Sequence, residues 1–273
     1  MAASRPNTAR MQHRRPPRKT SGPRHGDDGR YWMFGIHAVR DGLNNPLRRK
    51  RRLILTLNAA NQLGDAIAAA GIVPEICDAR KFSAPLDPAS VHQGAALETE
   101  ALDWGDVAAL CPPEDGRIAL LLDRVSDPHN VGAILRSAEV FGASAVIAPA
   151  RHSAPESGAL AKAASGALER QPYLRVRNLA DTMQELQKDG YAMIGLAGEA
   201  EHDIGTAIAG VGTAPVGLVL GSEGPGLRER TRGMCDVLAR IPSARDFASL
   251  NVSNAAAVSL FAARHHARGQ AQK

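Results

Sequence analysis

Ile118-Ala-Leu-Leu-Leu-Asp-Arg-Val-Ser-Asp-Pro-His-Asn-Val-Gly-Ala-Ile-Leu-Arg136 reads as an apolar strand, a turn and a helix, and that order decides the fold class. Five apolar residues in a row, with no polar alternation, mark a strand buried on both faces. Asp127-Pro128 makes the turn, and Asn130 is placed to cap the helix that carries Arg136. Comparable apolar runs recur at 145–148, 191–196, 216–220 and 237–241, separated by amphipathic or Ala-rich stretches. Short buried strands alternating with helices predict an α/β fold with a parallel sheet.

Upstream, residues 31–112 read as a smaller α/β unit: a helix near 35–43, a strand at 53–57, an Ala-rich helix to Ala70 and a strand near 74–77. The stretch from Val107 to Gly116, with Pro112, Pro113 and Asp115, reads as a linker into the domain at 113–273. Residues 1–30 form a third part, with eight Lys or Arg against Asp27 and Asp28. That is +6, so of the chain's total of +5 the remainder carries −1. A tail rich in Arg and Pro, with few apolar residues, cannot offset the entropy of folding and reads as a disordered polycation suited to nucleic acid. The run Arg48-Arg-Lys-Arg-Arg52 reads as a second basic patch.

The 273 residues, 44% of them hydrophobic, suffice for one good core and a smaller one. No apolar run is long enough to span a bilayer and no leader pattern is present, so the expectation is a cytoplasmic protein without a membrane partner. Cys77, Cys111 and Cys235 are odd in number, far apart and without a CxxC pair, which argues against a disulfide framework and against a metal site.

Three segments depart from core composition, each just after an expected strand, where open α/β sheets bind ligands. The first ends in Arg136, four residues from Gly132 and on the same helical face, where the missing side chain is expected to leave room for a substrate. The second, Leu220-Gly-Ser-Glu-Gly-Pro-Gly226, holds more glycines than a tight turn needs, and its Glu223 either caps the next helix or accepts a hydrogen bond from a ligand. It is not GxGxxG, so a dinucleotide fingerprint is absent. The third, Ile241-Pro-Ser-Ala-Arg-Asp-Phe-Ala-Ser-Leu-Asn-Val-Ser-Asn254, precedes an Ala-rich helix running to about His266, with Ser249 or Asn251 as its N-cap. A capped helix N-terminus also presents amides and positive potential to an anion.

Taken together, Asn130 to Arg136, Leu220 to Gly224 and Ser249 to Ser253 resemble the three motifs of the SpoU (TrmH-like) branch of the SPOUT RNA 2'-O-ribose methyltransferases. Phe34-Gly-Ile-His-Ala38, His92-Gln93-Gly94 and Ala161-Lys-Ala-Ala-Ser-Gly-Ala167 extend the likeness, over roughly residues 31–268, to the subgroup that methylates a ribosomal RNA guanosine and carries a small N-terminal RNA-binding domain. The resemblance implies a homodimer, a SPOUT-type α/β-knot catalytic domain, and S-adenosylmethionine bound among the knotted loops. It places cofactor contacts at Leu196, Ala197 and Gly198, at Leu220, Gly221 and Gly224, and at Ile241 and Leu250. It also implies that Arg136 acts on the ribose hydroxyl while Asn130, Glu223, Ser249 and Asn251 shape the catalytic site, with no metal. Arg245, Asp246 and Phe247 depart from the small or apolar residues that relatives tend to carry there.

The implied reaction is an in-line displacement at a sulfonium by a ribose 2'-oxygen, in which positioning supplies much of the acceleration. A guanidinium keeps its proton to about pH 12. Arg136 is therefore expected to hold an RNA phosphate and to stabilise charge developing on the oxygen. Glu223 and a phosphate oxygen both stand as proton acceptors. Ribosomal RNA is the expected partner, read through phosphates and 2'-hydroxyls. Transfer RNA is the alternative substrate. A silent RNA-binding protein is the alternative from another class, opposed by the presence of Asn130, Arg136, Glu223 and Asn251 together. Ser144, in Gly142-Ala-Ser-Ala-Val146, lacks the second glycine of a hydrolase's nucleophile elbow.

Overall fold

The structure, a computed structural model, describes residues 29–244 and 249–271. The basic tail before residue 29 and the departures at Arg245, Asp246 and Phe247 lie outside the described residues. The N-terminal part runs β1 (Arg30–Phe34), α1 (Ile36–Asn44), β2 (Lys50–Thr56), α2 (Leu57–Gln62), α3 (Gly64–Ala70), β3 (Glu75–Cys77), β4 (Ala95–Glu100) and α4 (Val107–Leu110). Its strands lie in the order β1-β4-β2-β3. β4 is antiparallel to both its neighbours, and β2 pairs parallel to β3. Leu57 opens a helix rather than closing a strand, because Thr56 Oγ1 accepts the Ala59 N–H at 3.3 Å and caps α2.

The run Arg48–Arg52 is not a free basic patch. Arg48 is buried, donating to Glu156 at 3.0 Å and to Glu169 at 2.6 Å. Arg49 and Arg51 both pair with Glu100, Arg52 pairs with Glu75, and Lys50 donates to the Asn45 carbonyl. Of five cations that look idle in the sequence, four are spent on cross-strand and inter-unit pairs and Lys50 on a neighbouring turn.

The second part runs β5 (Ile118–Asp123), α5 (Pro128–Phe141), β6 (Ala145–Pro149), α6 (Gly158–Ala164), β7 (Tyr173–Val176), α7 (Leu179–Lys188), β8 (Ala192–Leu196), β9 (His202–Asp203), α8 (Ile204–Gly210), β10 (Val216–Gly221), α9 (Glu229–Gly233), β11 (Val237–Arg240) and α10 (Val252–Ala271). The seven strands are parallel, in the order β7-β6-β5-β10-β8-β11-β9. Along β5, Ile118, Leu120 and Leu122 join one apolar cluster and Ala119 and Leu121 the other. A strand whose alternate residues enter two cores has no solvated face, which is why the run reads as continuously apolar.

The chain lays β5, β6 and β7 outward, returns past β5 to place β8, then inserts β10 between β5 and β8. The strand order thus reverses at β5 and β10, and the loops leaving β8, β10 and β11 meet at the carboxyl edge beside that point, where such sheets bind ligands. One core runs through both parts, joining Met33, Leu53 and Leu97 to Ile134, Leu160 and Leu218. Close contact requires the small residues of α6: a Cβ on Gly158 would strike the Trp32 carbonyl and the Phe34 ring.

Candidate active site

Asp127, not Asn130, caps α5: its carboxylate accepts the His129 N–H at 2.9 Å, and Pro128 takes the first helical position. Asn130 is thereby freed for the site. Its Nδ2 donates to Glu223 Oε1 at 3.1 Å, and Asn251 Nδ2 donates to the same oxygen at 2.6 Å and to Asn130 Oδ1 at 2.9 Å. Residues 93 and 121 positions from Asn130 thus share one hydrogen-bonded junction, so Glu223 accepts from two amides and caps nothing. Asn251 does cap its helix, since its Oδ1 accepts the Ser253 N–H at 2.8 Å and the Ser253 hydroxyl at 2.6 Å.

Beside this junction opens a cavity of about 750 Å³ lined by Leu196, Ala197, Gly198, Leu220, Gly221, Gly224, Ile241 and Leu250, together with Glu223, Ser249 and Asn251. Its size falls in the range of small-molecule sites. Apolar side chains from β8, β10 and α10 suit a flat heteroaromatic ring, and the loop backbones at 197–198 and 221–226 suit a polar end, so the residues present fit S-adenosylmethionine. The glycines serve different needs. A Cβ at Gly198 or Gly224 would meet nothing, whereas one at Gly221 would fall on the Gly226 backbone. Gly221 therefore closes the loop, in which Gly226 N–H donates to the Ser222 carbonyl at 3.0 Å.

Arg136 takes no part in the junction. It is exposed, does not line the cavity, and has no hydrogen bond or ion pair among the described residues. Six residues of helix advance about 9 Å and turn the side chain about 120° from Asn130. Nor does Gly132 leave room for a substrate: its face meets α6, where a Cβ would lie 2.5 Å from that of Ala163. A residue that sequence reasoning left unassigned also matters. Asp123, fully buried at the end of β5, accepts the Arg228 N–H at 3.0 Å and pairs with its guanidinium at 2.7 Å, pinning the far end of the 221–228 loop. A carboxylate closing an otherwise apolar strand was the available signal.

The cysteines are unpaired. Burial pushes the Cys111 thiol up to about 11 and the Cys235 thiol to about 12, so neither serves as a nucleophile. Among the described residues no group of side chains suits a metal ion.

The SpoU rRNA Methylase family matches residues 117–261. The chain belongs to that family. Among its relatives, the 23S rRNA (guanosine-2'-O-)-methyltransferase RlmB of Yersinia pestis is 39% identical over 84% of this chain and 94% of its own length. The Escherichia coli K12 protein of the same name is 37% identical over 85% and 96%. The AdoMet-bound rRNA methyltransferase of Sinorhizobium meliloti, a solved structure, superposes with a TM-score of 0.69 at 25% identity, covering 87% of this chain and 88% of that one. This member of the SpoU family is accordingly an S-adenosylmethionine-dependent RNA methyltransferase, as its motifs led us to expect.

Proposed function

We propose that this SpoU-family enzyme methylates the ribose 2'-oxygen of a guanosine in large-subunit ribosomal RNA. The observation that carries the reading is the junction of Glu223, Asn130 and Asn251 at the solvent-exposed mouth of the cavity. A polymer's ribose can reach such a mouth. The substrate follows the RlmB relatives, whose name specifies a guanosine of 23S rRNA.

S-adenosylmethionine, when bound, supplies an electrophilic methyl carbon. Leu196, Ala197, Gly198, Leu220, Gly221, Gly224, Ile241 and Leu250 would hold it. Glu223 Oε1 takes both amide donors, so Oε2 is left to accept the proton of the 2'-hydroxyl, and the two asparagines fix the carboxylate's direction. Ser249, exposed on the cavity wall, orients the sugar. Arg136 meets an RNA phosphate and steadies charge on the attacking oxygen.

The enzyme acts as a homodimer in the cytoplasm, where its substrate is. Val140 is 76% exposed and Phe261 57%, with Val258 beside them on α10 and Phe141 edge-on to Phe261, an apolar strip that a second copy would cover. Arg136, four residues from Val140, lies on that strip and reaches the subunit boundary. Residues 31–112 bind RNA, residues 113–273 carry methyl transfer, and the tail at 1–30 adds cationic reach.

The test is transfer of labelled methyl from S-adenosylmethionine to a 23S rRNA transcript, followed by mapping of ribose methylation. One modified guanosine is expected. Label in transfer RNA and none in 23S rRNA would overturn the substrate assignment in favour of the alternative.

A further inference from the structure

We propose that Arg124, Arg151 and Arg177 form a phosphate-binding track along which the substrate RNA reaches the methyl donor, an inference that rests on the RNA methyltransferase reading above. The three residues follow β5, β6 and β7 respectively, adjacent strands of one parallel sheet. Register brings them level: Ile147 pairs with Leu121 and Pro149 with Val176, so each guanidinium leaves the carboxyl edge within a residue or two of the others. Neighbouring strands lie about 5 Å apart. The cofactor cavity occupies the other half of the same edge, beyond β10, and Gly221 is in register with Asp123, one residue from Arg124.

These cations are unspent. All three are exposed, and none has a hydrogen bond or ion pair to another side chain among the described residues, in contrast to Arg48, Arg49, Arg51 and Arg52. Nearby carboxylates are engaged: Asp123 with Arg228, Asp127 on the His129 N–H, Glu156 with Arg48, Asp181 with Arg230. The loops are also anchored from beneath. Val125 and Ala154 are buried, Tyr173 Oη donates to the Ala154 carbonyl at 2.7 Å, and Ala150 N–H donates to the Val176 carbonyl at 2.7 Å.

Arg124 and the exposed His152 hold φ of 64° and 63°, a left-handed conformation that non-glycine residues rarely adopt and that concentrates at functional loops. The loop after β6 ends at Glu156, the anchor of Arg48, so the middle of the track is tied to the N-terminal unit. Fixed cations in a row beside a solvent-open site fit a polyanion, and the SpoU substrate is one.

The experiment replaces all three with Gln and measures binding of a 23S rRNA transcript across a salt titration, alongside turnover on the same transcript and calorimetry of S-adenosylmethionine. The slope of log affinity against log salt should fall by about 2, at roughly 0.7–0.9 for each phosphate left without its cation, and the KM for RNA should rise about tenfold. Cofactor affinity and turnover at saturating RNA should hold. Lys at the three positions should restore the slope, because phosphate accepts a point charge. Should the triple variant fold poorly, R151Q/R177Q leaves the left-handed position alone and should still lose more than one slope unit. A slope and KM equal to the parent's would overturn the track. A parent that methylates no RNA would sink the functional reading instead, while the binding slope still decides the track.

Discussion

Arg136 shows how much a helix's phase decides. Asn130 and Arg136 belong to one motif and one helix, yet only Asn130 turns toward Glu223, while Arg136 faces solvent. If Arg136 serves the reaction by meeting RNA phosphate, Arg136→Ala should bind S-adenosylmethionine as tightly as the parent by calorimetry and melt at the same temperature. Methyl transfer should fall by about 100-fold or more, the usual loss when a donor to developing negative charge is removed. Near-normal turnover would take Arg136 out of the chemistry. At the same scale, Asn130, Glu223 and Asn251 could be nominated from their motifs, but their mutual bonds could not, because sequence spacing carries no information about pairings across 93 or 121 residues.

The 221–228 loop is the element on which the site turns. Its glycines look alike in sequence, but Gly221 is required by the Gly226 backbone crossing over it, and the loop's far end is fixed by Asp123 gripping Arg228. Gly221→Val should therefore abolish cofactor binding, read by calorimetry, by prising the loop open, and should lower the melting temperature as well. Gly198→Ala, where a Cβ meets nothing, should keep the parent's melting temperature. If Gly221→Val binds cofactor normally, the loop closes by other means.

Elements buried on both faces were legible, since β5, β6, β8 and β10 announce themselves as apolar runs, and β11 showed as one too although only Ala239 in it is buried. β4 was not: it is an interior strand, but Glu98 and Glu100 lie opposite Arg52 and Arg30 and give it a surface composition. β7 is an edge strand with only Tyr173 and Leu174 buried, so it shows no long apolar run, whereas β1 offers Tyr31-Trp-Met-Phe34, a signal as strong as that of β6.

Across the whole molecule, one buried contact ties the two parts together, and the proposed dimer adds a second contact to test. Within the chain, Arg48 is enclosed by Glu156 and Glu169 from the other part, with Asn45 donating to Glu169 at 2.9 Å. Removing the cation strands two buried carboxylates, so Arg48→Met should cost about 3–5 kcal/mol, measured by denaturant unfolding. A loss under about 1 kcal/mol would show that the junction relaxes into solvent. The proposed dimer would cover the exposed side chains of Val140, Val258 and Phe261, and Arg136 lies one helical turn from Val140. V140E/F261E places charge there without replacing any residue that lines the cavity. The variant should sediment as a monomer and retain S-adenosylmethionine binding. Its methyl transfer should fall with the dimer, because Arg136 would no longer be held at a subunit boundary. A parent that is already monomeric, or a monomeric variant with full turnover, would separate the strip from catalysis and leave Arg136 to act within its own chain.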